Sequence, residues 1–341
     1  MKYLYVLVSN QSDYYSQQAF LSIYSLKLKM QNAFVSLLID NQTAEYLQNN
    51  FQELLKSVDE FKVVELSSEY NNKEKSRFLK TTMRQYVDGD FLFIDSDTII
   101  CEDLSEIEKY EFDIGCVLDN HVKLDMHLNK NSFINNAKLC GFEKSLINNK
   151  HYNSGVMYCK DNAKTHSFFS QWHSLWQQSK AKGILADQTS LNQANAIENE
   201  FINELDGKWN CQLVNGGCKY LVNAKIIHYF ATFNPIFGNP FLIDDNRIFE
   251  QIKKERIISE DIKNMLATPR SLIDENSTLL GSSVPKEMLY YGNIFRLVFL
   301  YKKSKLLYKC ISFILKFFFF LQDDSQNYSL LTILKSKMKI K

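Results

Sequence analysis

Glycine and proline are scarce in this chain of 341 residues, which contains 11 Gly and 4 Pro. Average proteins contain about 7% Gly and about 5% Pro, so the low counts exclude collagen-like, proline-rich and glycine-rich architectures. The formal net charge is only +1, which argues against a protein that coats nucleic acid, and we expect no nucleic-acid partner. With 45% hydrophobic and 13% aromatic residues, the chain has enough apolar side chains for a packed core.

Signals for export, disulfide bonding and membrane spanning are also missing from the sequence. The seven cysteines are odd in number and form no C-x-x-C pair. The apolar run at residues 3–8 is shorter than the apolar region of a signal peptide. The uncharged apolar run at residues 317–321 is far shorter than the roughly 20 residues that span a bilayer. We therefore expect a cytoplasmic protein with reduced thiols.

Short apolar runs alternate with helical patterns along most of the chain. Strands are predicted at residues 3–8, 34–39, 61–66, 91–94, 114–118, 156–158 and 226–229, and helices at residues 12–30, 43–58, 77–86, 168–178 and within 246–290. The alternation predicts an α/β fold with a mostly parallel central sheet and flanking helices. Ligands of such sheets bind beyond the carboxyl ends of the strands, which places Ser9, Asp40 and the residues after Ile94 on the ligand side.

Two aspartates follow the fourth predicted strand in the segment FLFIDSD, residues 91–97. Because side chains alternate along a strand, Asp95 and Asp97 point to the same side. Two ionised carboxylates so close repel each other unless a cation neutralises them. Mg²⁺ and Mn²⁺ take oxygen ligands and commonly complete their shell with phosphates. The pattern favours a metal bound to a diphosphate over solvated carboxylates at the end of a strand.

Two enzyme classes place Asp-x-Asp after a strand. Phosphatases of the haloacid dehalogenase type use the motif Asp-x-Asp-x-Thr/Val near their first strand, with the first Asp as nucleophile. Here Ile99 occupies the fifth position, and several strand–helix units precede the motif. A phosphohydrolase therefore stays as the alternative, and a nucleotide-sugar glycosyltransferase is the favoured class.

Five segments, in order over roughly residues 1–240, resemble those of family 8 glycosyltransferases. They are residues 8–26 with VS, DY and SIYSL, the arginine 18 residues before Asp95, NSGVM at 153–157, DQTSLN at 187–192, and IIHYF at 226–230. The chain therefore resembles nucleotide-sugar glycosyltransferases of the GT-A fold, and in particular the retaining galactosyl- and glucosyltransferases of family 8. A catalytically silent glycosyltransferase-like subunit is a further alternative.

The resemblance implies roles for individual residues. Asp95, Asp97 and His228 would hold Mn²⁺ or Mg²⁺, which would bridge the two phosphates of a donor such as a UDP-sugar. The implied donor-binding residues are Ser9, Tyr14, Arg77, Ser96, Asn153 and Gly155. Asp187 and Gln188 are the implied catalytic residues: Asp187 binds a hydroxyl of the donor sugar, or acts as general base in an inverting enzyme, and Gln188 lies near the anomeric carbon.

Each implied role has a simpler alternative. His228 could be a core histidine, Tyr14 and Arg77 could be surface residues of helices, and Asp187 could interact with a helix dipole. The sequence also departs from the family pattern in several places. Ala231, Asn234 and Ile236 replace the Gly, Lys and Trp that follow the family's histidine, and Thr189 replaces an Asp. The family's Lys at this place contacts the diphosphate.

The C-terminal part of the chain carries most of the positive charge. Residues 289–341 contain 10 basic and 2 acidic residues. Lys302, Lys305, Lys309, Ser312 and Lys316 are spaced to form one polar stripe on an otherwise apolar helix. Such a basic amphipathic helix is typical of proteins that lie on anionic membranes, although it could instead pack on the catalytic domain or at a dimer contact.

Three regions are therefore predicted: a catalytic domain at residues 1–245, a helical linker at 246–292 and a basic membrane-associating tail at 293–341. We expect the protein to be peripheral on the cytoplasmic face of a membrane. Its acceptor would be a carbohydrate or glycolipid, such as a lipid-linked or surface polysaccharide or a lipopolysaccharide.

Overall fold

The structure is a computed structural model that describes residues 1–213, 216–229 and 246–271, together with 304, 306–307, 309–311 and 313–314. The chain divides into two compact units, Met1–Ser282 and Ser283–Lys341. Ala231, Asn234 and Ile236, where the sequence departs from the family 8 pattern, lie outside the described residues. Most of the predicted basic tail lies outside them as well.

Strands in the described residues form two sheets. The strands are β1 (Lys2–Leu7), β2 (Phe34–Asp40), β3 (Glu60–Val64), β4 (Phe91–Ile94), β5 (Thr98–Ile100), β6 (Ile114–Leu118), β7 (Tyr152–Cys159), β8 (Ile202–Glu204), β9 (Cys211–Gln212) and β10 (Ile226–His228). The central sheet has the order β3-β2-β1-β4-β7-β6-β8, and the small sheet has the order β5-β10-β9. In the central sheet only β7 runs antiparallel to its neighbours, β4 and β6. This confirms the expected α/β class with a mostly parallel sheet.

Helices cover both faces of the central sheet. They are α1 (Tyr15–Lys29), α2 (Asn41–Asn50), α3 (Gln52–Lys56), α4 (Asn72–Tyr86), α5 (Lys130–Cys140), α6 (Ala163–Ala181), α7 (Asp187–Ile197), α8 (Asn246–Glu255) and α9 (Glu260–Ala267). Side chains of β4 alternate between two buried clusters, with Leu92 and Ile94 in one and Phe91 and Phe93 in the other. Burial on both faces explains why the sequence of this strand is continuously apolar.

Several elements differ from the sequence-based prediction in their bounds. The strands β5, β8 and β9 were not predicted, because two or three residues are too few to show a period. The predicted helix at residues 43–58 is two helices, since Phe51 has non-helical backbone angles (φ −152°, ψ 56°) between α2 and α3. The helix α4 begins at Asn72 rather than at Arg77, because Asn71 and Glu74 form a capping box there.

Part of the predicted linker packs within the first unit. Phe249 and Ile252 of α8 and Ile262 and Leu266 of α9 are buried in the same apolar cluster as α1. The proposed division at residues 245 and 292 stays a prediction. Among the described cysteines, Cys101, Cys116 and Cys159 are buried free thiols.

The described residues of the second unit are partly helical and expose apolar side chains. Leu306 is 76% exposed and Phe313 is 66% exposed. Among the described residues of the whole chain, no helix combines the length and apolar character needed to cross a bilayer.

Candidate active site

The two aspartates of the Asp-x-Asp motif lie where the central sheet meets the small sheet. Asp95 follows the last residue of β4, and Thr98 donates a hydrogen bond from its hydroxyl to the Asp95 carbonyl at 2.9 Å, which closes a tight turn. The strand β10 then pairs antiparallel with β5, so that His228 lies opposite Thr98. The backbone N–H of Tyr229 also donates to the Asp97 carbonyl at 3.0 Å. Pairing of these short strands therefore brings His228 to the motif from far along the chain.

Asp95, Asp97 and His228 form the cluster in the described residues that could hold a metal ion. One ligand atom from each of the three lies within 4.8 Å of the other two. The Nε2 atom of His228 is 3.1 Å from an oxygen of Asp97. Two carboxylates and an imidazole are suitable ligands for Mn²⁺ or Mg²⁺, so the residues present fit the ion that the sequence implies.

Gly155 of β7 makes this cluster sterically possible. A Cβ atom at this position would lie 2.3 Å from Cε1 of His228 and 2.9 Å from Oδ2 of Asp95. The Gly155 carbonyl also accepts the backbone N–H of Asp95 at 2.8 Å. The absence of a side chain at residue 155 therefore allows the two ligand side chains to approach each other over the strand.

Lys80 of α4 is a site residue that the sequence analysis missed. Its ammonium group lies 3.1 and 3.0 Å from the two carboxylate oxygens of Asp95, and it also lies over the ring of Phe93. The side chain of Lys80 is only 4% exposed. Burial and the neighbouring Asp97 carboxylate raise the pKa of Asp95 in spite of Lys80. A lysine on the buried face of an otherwise amphipathic helix was the available signal, because such a cation requires an anionic partner.

His228 and Asp97 stabilise each other's charged forms. Burial would raise the pKa of Asp97, but the adjacent imidazole outweighs burial and lowers it. For His228, burial acts to lower the pKa, whereas the Asp97 carboxylate raises it above its ordinary value. The metal-free site therefore contains a tightly coupled carboxylate–imidazole pair.

Asp187, the first residue of α7, is held by two basic residues and a hydroxyl group. One carboxylate oxygen is 2.8 Å from Nε of Arg77, and the other accepts a hydrogen bond from Ser154 at 2.6 Å. Lys80 lies 4.0 Å away. Burial raises the pKa of Asp187, but Arg77 and Lys80 outweigh burial and lower it. A carboxylate with a lowered pKa is a weak base, so the environment suits hydrogen-bond acceptance better than proton abstraction.

The remaining donor-binding candidates lie at the carboxyl edge of the sheet and differ in their exposure to solvent. Ser9 is 3% exposed, and its hydroxyl donates to Asp13 at 2.6 Å. The ring of Tyr14 is covered by α8, with its centroid 5.4 Å from that of Phe249. The adjacent Tyr15 is 43% exposed. Burial, Asp13 and Asp97 together raise the pKa of Tyr15.

Asn153, Ser96 and Gln188 complete the set of predicted residues. Asn153 is 2% exposed and donates to the carboxylate of Asp119 at 2.8 Å. Ser96 is half-buried between the two aspartates of the motif, and Gln188 is half-buried in the first turn of α7. The structure thus brings together Asp95, Asp97, His228, Gly155, Arg77 and Asp187. It places the ring of Tyr14 against α8.

Comparison with protein families gives one match. The model described as glycosyl transferase family 8 matches residues 6–235. A search of the curated proteins finds no match.

Solved structures with similar folds include three glycosyltransferases. Mouse xyloside xylosyltransferase 1 is 14% identical, with a TM-score of 0.45 over 67% of this chain and 98% of that chain. The galactosyltransferase LgtC, solved with donor and acceptor sugar analogues, is 9% identical, with a TM-score of 0.48 over 77% of this chain and 99% of that chain. The glycosyltransferase GlyE of Streptococcus pneumoniae is 14% identical, with a TM-score of 0.46 over 78% of this chain and 63% of that chain.

Proposed function

This chain belongs to glycosyl transferase family 8, and from that premise we propose that it transfers a hexose from a UDP-sugar to an acceptor hydroxyl in a metal-dependent reaction. As a member of this family the chain is a glycosyltransferase with an α/β fold of the GT-A type. The phosphohydrolase and the catalytically silent subunit, both considered from the sequence, are therefore set aside.

The observation that carries the proposal is the convergence of Asp95, Asp97 and His228 within 4.8 Å of one another. These residues would hold Mn²⁺ or Mg²⁺, whose chemistry here is that of a Lewis acid that stabilises a nucleoside-diphosphate leaving group. The side chains of Asp95 and Asp97 are 29% and 24% exposed, so a diphosphate can reach them from solvent.

The protein's own side chains have separate tasks in this proposal. Lys80 partly neutralises Asp95 from the buried side and leaves the exposed side of the carboxylate for the ion. Arg77 orients Asp187, whose ionised carboxylate accepts a hydrogen bond from a hydroxyl of the donor sugar. Gln188 lies one residue further along α7 and is proposed to face the anomeric carbon.

The nucleotide would occupy the carboxyl edge of the sheet beside β1. We propose that Ser9, Tyr14, Ser96, Asn153 and Gly155 surround it, together with Arg77. Ser9 lies two residues after the end of β1, and Gly155 provides a surface without a side chain next to Asp95. In this arrangement the diphosphate lies over the metal ligands and the sugar lies towards Asp187.

A donor screen tests the proposal directly. A nucleotide sugar at 100 times its dissociation constant should raise the free energy of unfolding by about 2.7 kcal/mol, which a thermal shift in the presence of Mn²⁺ detects. Asp97→Asn should abolish both this stabilisation and metal-dependent hydrolysis or transfer of the donor. Asp88→Asn is the matched control, because Asp88 belongs to the exposed Asp-Gly-Asp turn before β4. Failure of every nucleotide sugar to bind, or equal activity of the two variants, would contradict the proposal.

The acceptor is proposed to be a lipid-linked or surface polysaccharide or a lipopolysaccharide, reached from an anionic membrane. Support comes from the basic stripe in the sequence and from the exposed apolar side chains of Leu306 and Phe313. Such a surface can insert apolar side chains between lipids while lysines contact anionic headgroups.

Flotation with liposomes that contain anionic lipid tests this attachment with the full-length chain. Replacing Leu306 and Phe313 together by Glu should prevent flotation. Ile147→Glu, which changes an 80% exposed residue of the first unit, should leave flotation unchanged. Equal flotation of all three proteins would reject attachment through the tail.

A further inference from the structure

Five buried side chains form a hydrogen-bonded series that begins at the candidate metal ligand His228 and includes the carboxylate of Asp119. Nδ1 of His228 lies 2.8 Å from Oδ1 of Asn210. Nδ2 of Asn210 donates to Oδ1 of Asn153 at 2.9 Å, and Nδ2 of Asn153 donates to Asp119 at 2.8 Å. The second oxygen of Asp119 lies 2.9 Å from Nε2 of His127. All five side chains belong to residues that are no more than 2% exposed, so water does not compete for these hydrogen bonds.

A backbone amide fixes the direction of every hydrogen bond between Asn153 and His228. The N–H of Gly155 donates to Oδ1 of Asn153 at 2.8 Å, and a backbone N–H can only donate. This hydrogen bond identifies which atom of the Asn153 amide is the oxygen. Asn210 must therefore direct its NH₂ group towards that oxygen. The oxygen of Asn210 is then left to face His228. Because an amide oxygen only accepts, Nδ1 of His228 must carry a proton.

A second backbone amide fixes the opposite end. The N–H of Asn129 donates to Nδ1 of His127 at 2.9 Å, so the proton of this ring lies on Nε2 and points to Asp119. Burial alone would raise the pKa of Asp119, but hydrogen bonds from His127 and Asn153 hold it below its ordinary value. Asp119 therefore accepts hydrogen bonds from both sides as a carboxylate.

We propose that this hydrogen-bond network, formed by Asn210, Asn153, Asp119 and His127, holds His228 in the tautomer that presents an unprotonated Nε2 to a divalent metal. The inference rests on the metal site of the proposed function. An imidazole that donates its second N–H to an acceptor is fixed in orientation and is a more basic ligand. The amides of Asn210 and Asn153 lie in series between His228 and the buried carboxylate of Asp119, and hydrogen bonds in such a series strengthen one another.

The members of the network come from distant parts of the chain. Asp119 directly follows β6, Asn153 lies in β7, and Asn210 directly precedes β9 of the small sheet. The hydrogen bonds between them therefore join the central sheet to the small sheet that carries His228. We assign Asn210 as a positioning residue that acts through His228.

The test compares Asn210→Ala with the wild-type protein by two measurements. Isothermal titration with Mn²⁺ in the presence of UDP should show binding that is about 10- to 100-fold weaker in the variant. Imidazole ¹⁵N spectra of the metal-free proteins, recorded at a pH high enough for the imidazole of His228 to be neutral, should show a single tautomer with the proton on Nδ1 in the wild type and loss of this single tautomer in the variant. Asn195→Ala is the control, because Asn195 is a buried amide that bonds to Ile202 and Glu200 away from the site.

Each outcome decides between the two proposals. Wild-type Mn²⁺ affinity and an unchanged His228 spectrum in Asn210→Ala would overturn the assigned role. If that variant does not fold, Asp119→Asn, which keeps the shape and removes the charge, decides by the same measurements. If the wild type binds no Mn²⁺ even with UDP, the metal site of the proposed function is contradicted. The ¹⁵N spectra alone then decide whether the network fixes the tautomer of His228.

Discussion

Replacing Gly155 by Ala is the sharpest single perturbation of the candidate site. Ordinary contacts of a Cβ atom begin at 3.4 Å, whereas the added methyl group would lie 2.3 Å from Cε1 of His228. The imidazole must therefore move by about 1 Å, and a displacement of that size can reduce the rate of catalysis about 100-fold. We expect the turnover rate to fall by this factor and the affinity for Mn²⁺ to fall with it. Overpacking of this kind also destabilises a protein by about 1–3 kcal/mol.

Gly115→Ala is a matched control for this substitution. Its Cβ atom would lie 2.6 Å from the ring of Phe112 and 3.0 Å from Leu205, so the steric conflict is similar but lies away from the metal ligands. In chemical denaturation both variants should lose stability, and only Gly155→Ala should lose donor turnover in a coupled assay of UDP release. Wild-type turnover and wild-type Mn²⁺ affinity in folded Gly155→Ala would refute the reasoning.

Three further predictions concern charges near the site. Lys80→Met should lower the turnover rate at least about tenfold, because Asp95 loses its buried cation; unchanged steady-state kinetics would contradict this. Lys75→Met should cost about 3–5 kcal/mol in urea unfolding, since its partner Asp40 is 1% exposed and would be left as an unpaired buried charge; a loss below 1 kcal/mol would oppose this. The pKa of Asp119 is lowered in the folded state. Its carboxylate therefore stabilises the folded protein above the unfolded pKa of about 3.9, and this stabilisation is lost as the pH falls from that value through the folded pKa. The stability difference between wild type and Asp119→Asn should therefore shrink below about pH 4, and a constant difference would argue against this.

Much of the fold could be predicted from the sequence, because long elements have clear periods. The alternation of strands and helices gave the α/β class, and the continuous apolar sequence of β4 indicated a strand covered on both faces. Short elements were not predicted, because they have too few residues to show a period. The three-residue strand β5 and the two-residue strand β9 are defined by pairing with β10, which is a long-range property that no local pattern contains.

Residues of the candidate site could be predicted from the sequence only where they belong to a short local motif. Asp95 and Asp97 could be proposed from one segment, and His228 was proposed from a resemblance rather than from its surroundings. Lys80 and Asn210 could not be proposed in this way, because their importance depends on which side chains they contact across the fold. The role proposed for Tyr14 needs a donor complex as its test, since the ring packs against α8.

The central claim is that Asp95, Asp97 and His228 bind one divalent cation together with a nucleoside diphosphate. Anomalous diffraction from crystals of the full chain grown with Mn²⁺ and UDP measures this directly. We expect a manganese peak within coordination distance of all three side chains, with diphosphate oxygens completing the shell. Bound UDP with no manganese at these residues, or with His228 turned away from the ion, would contradict the account.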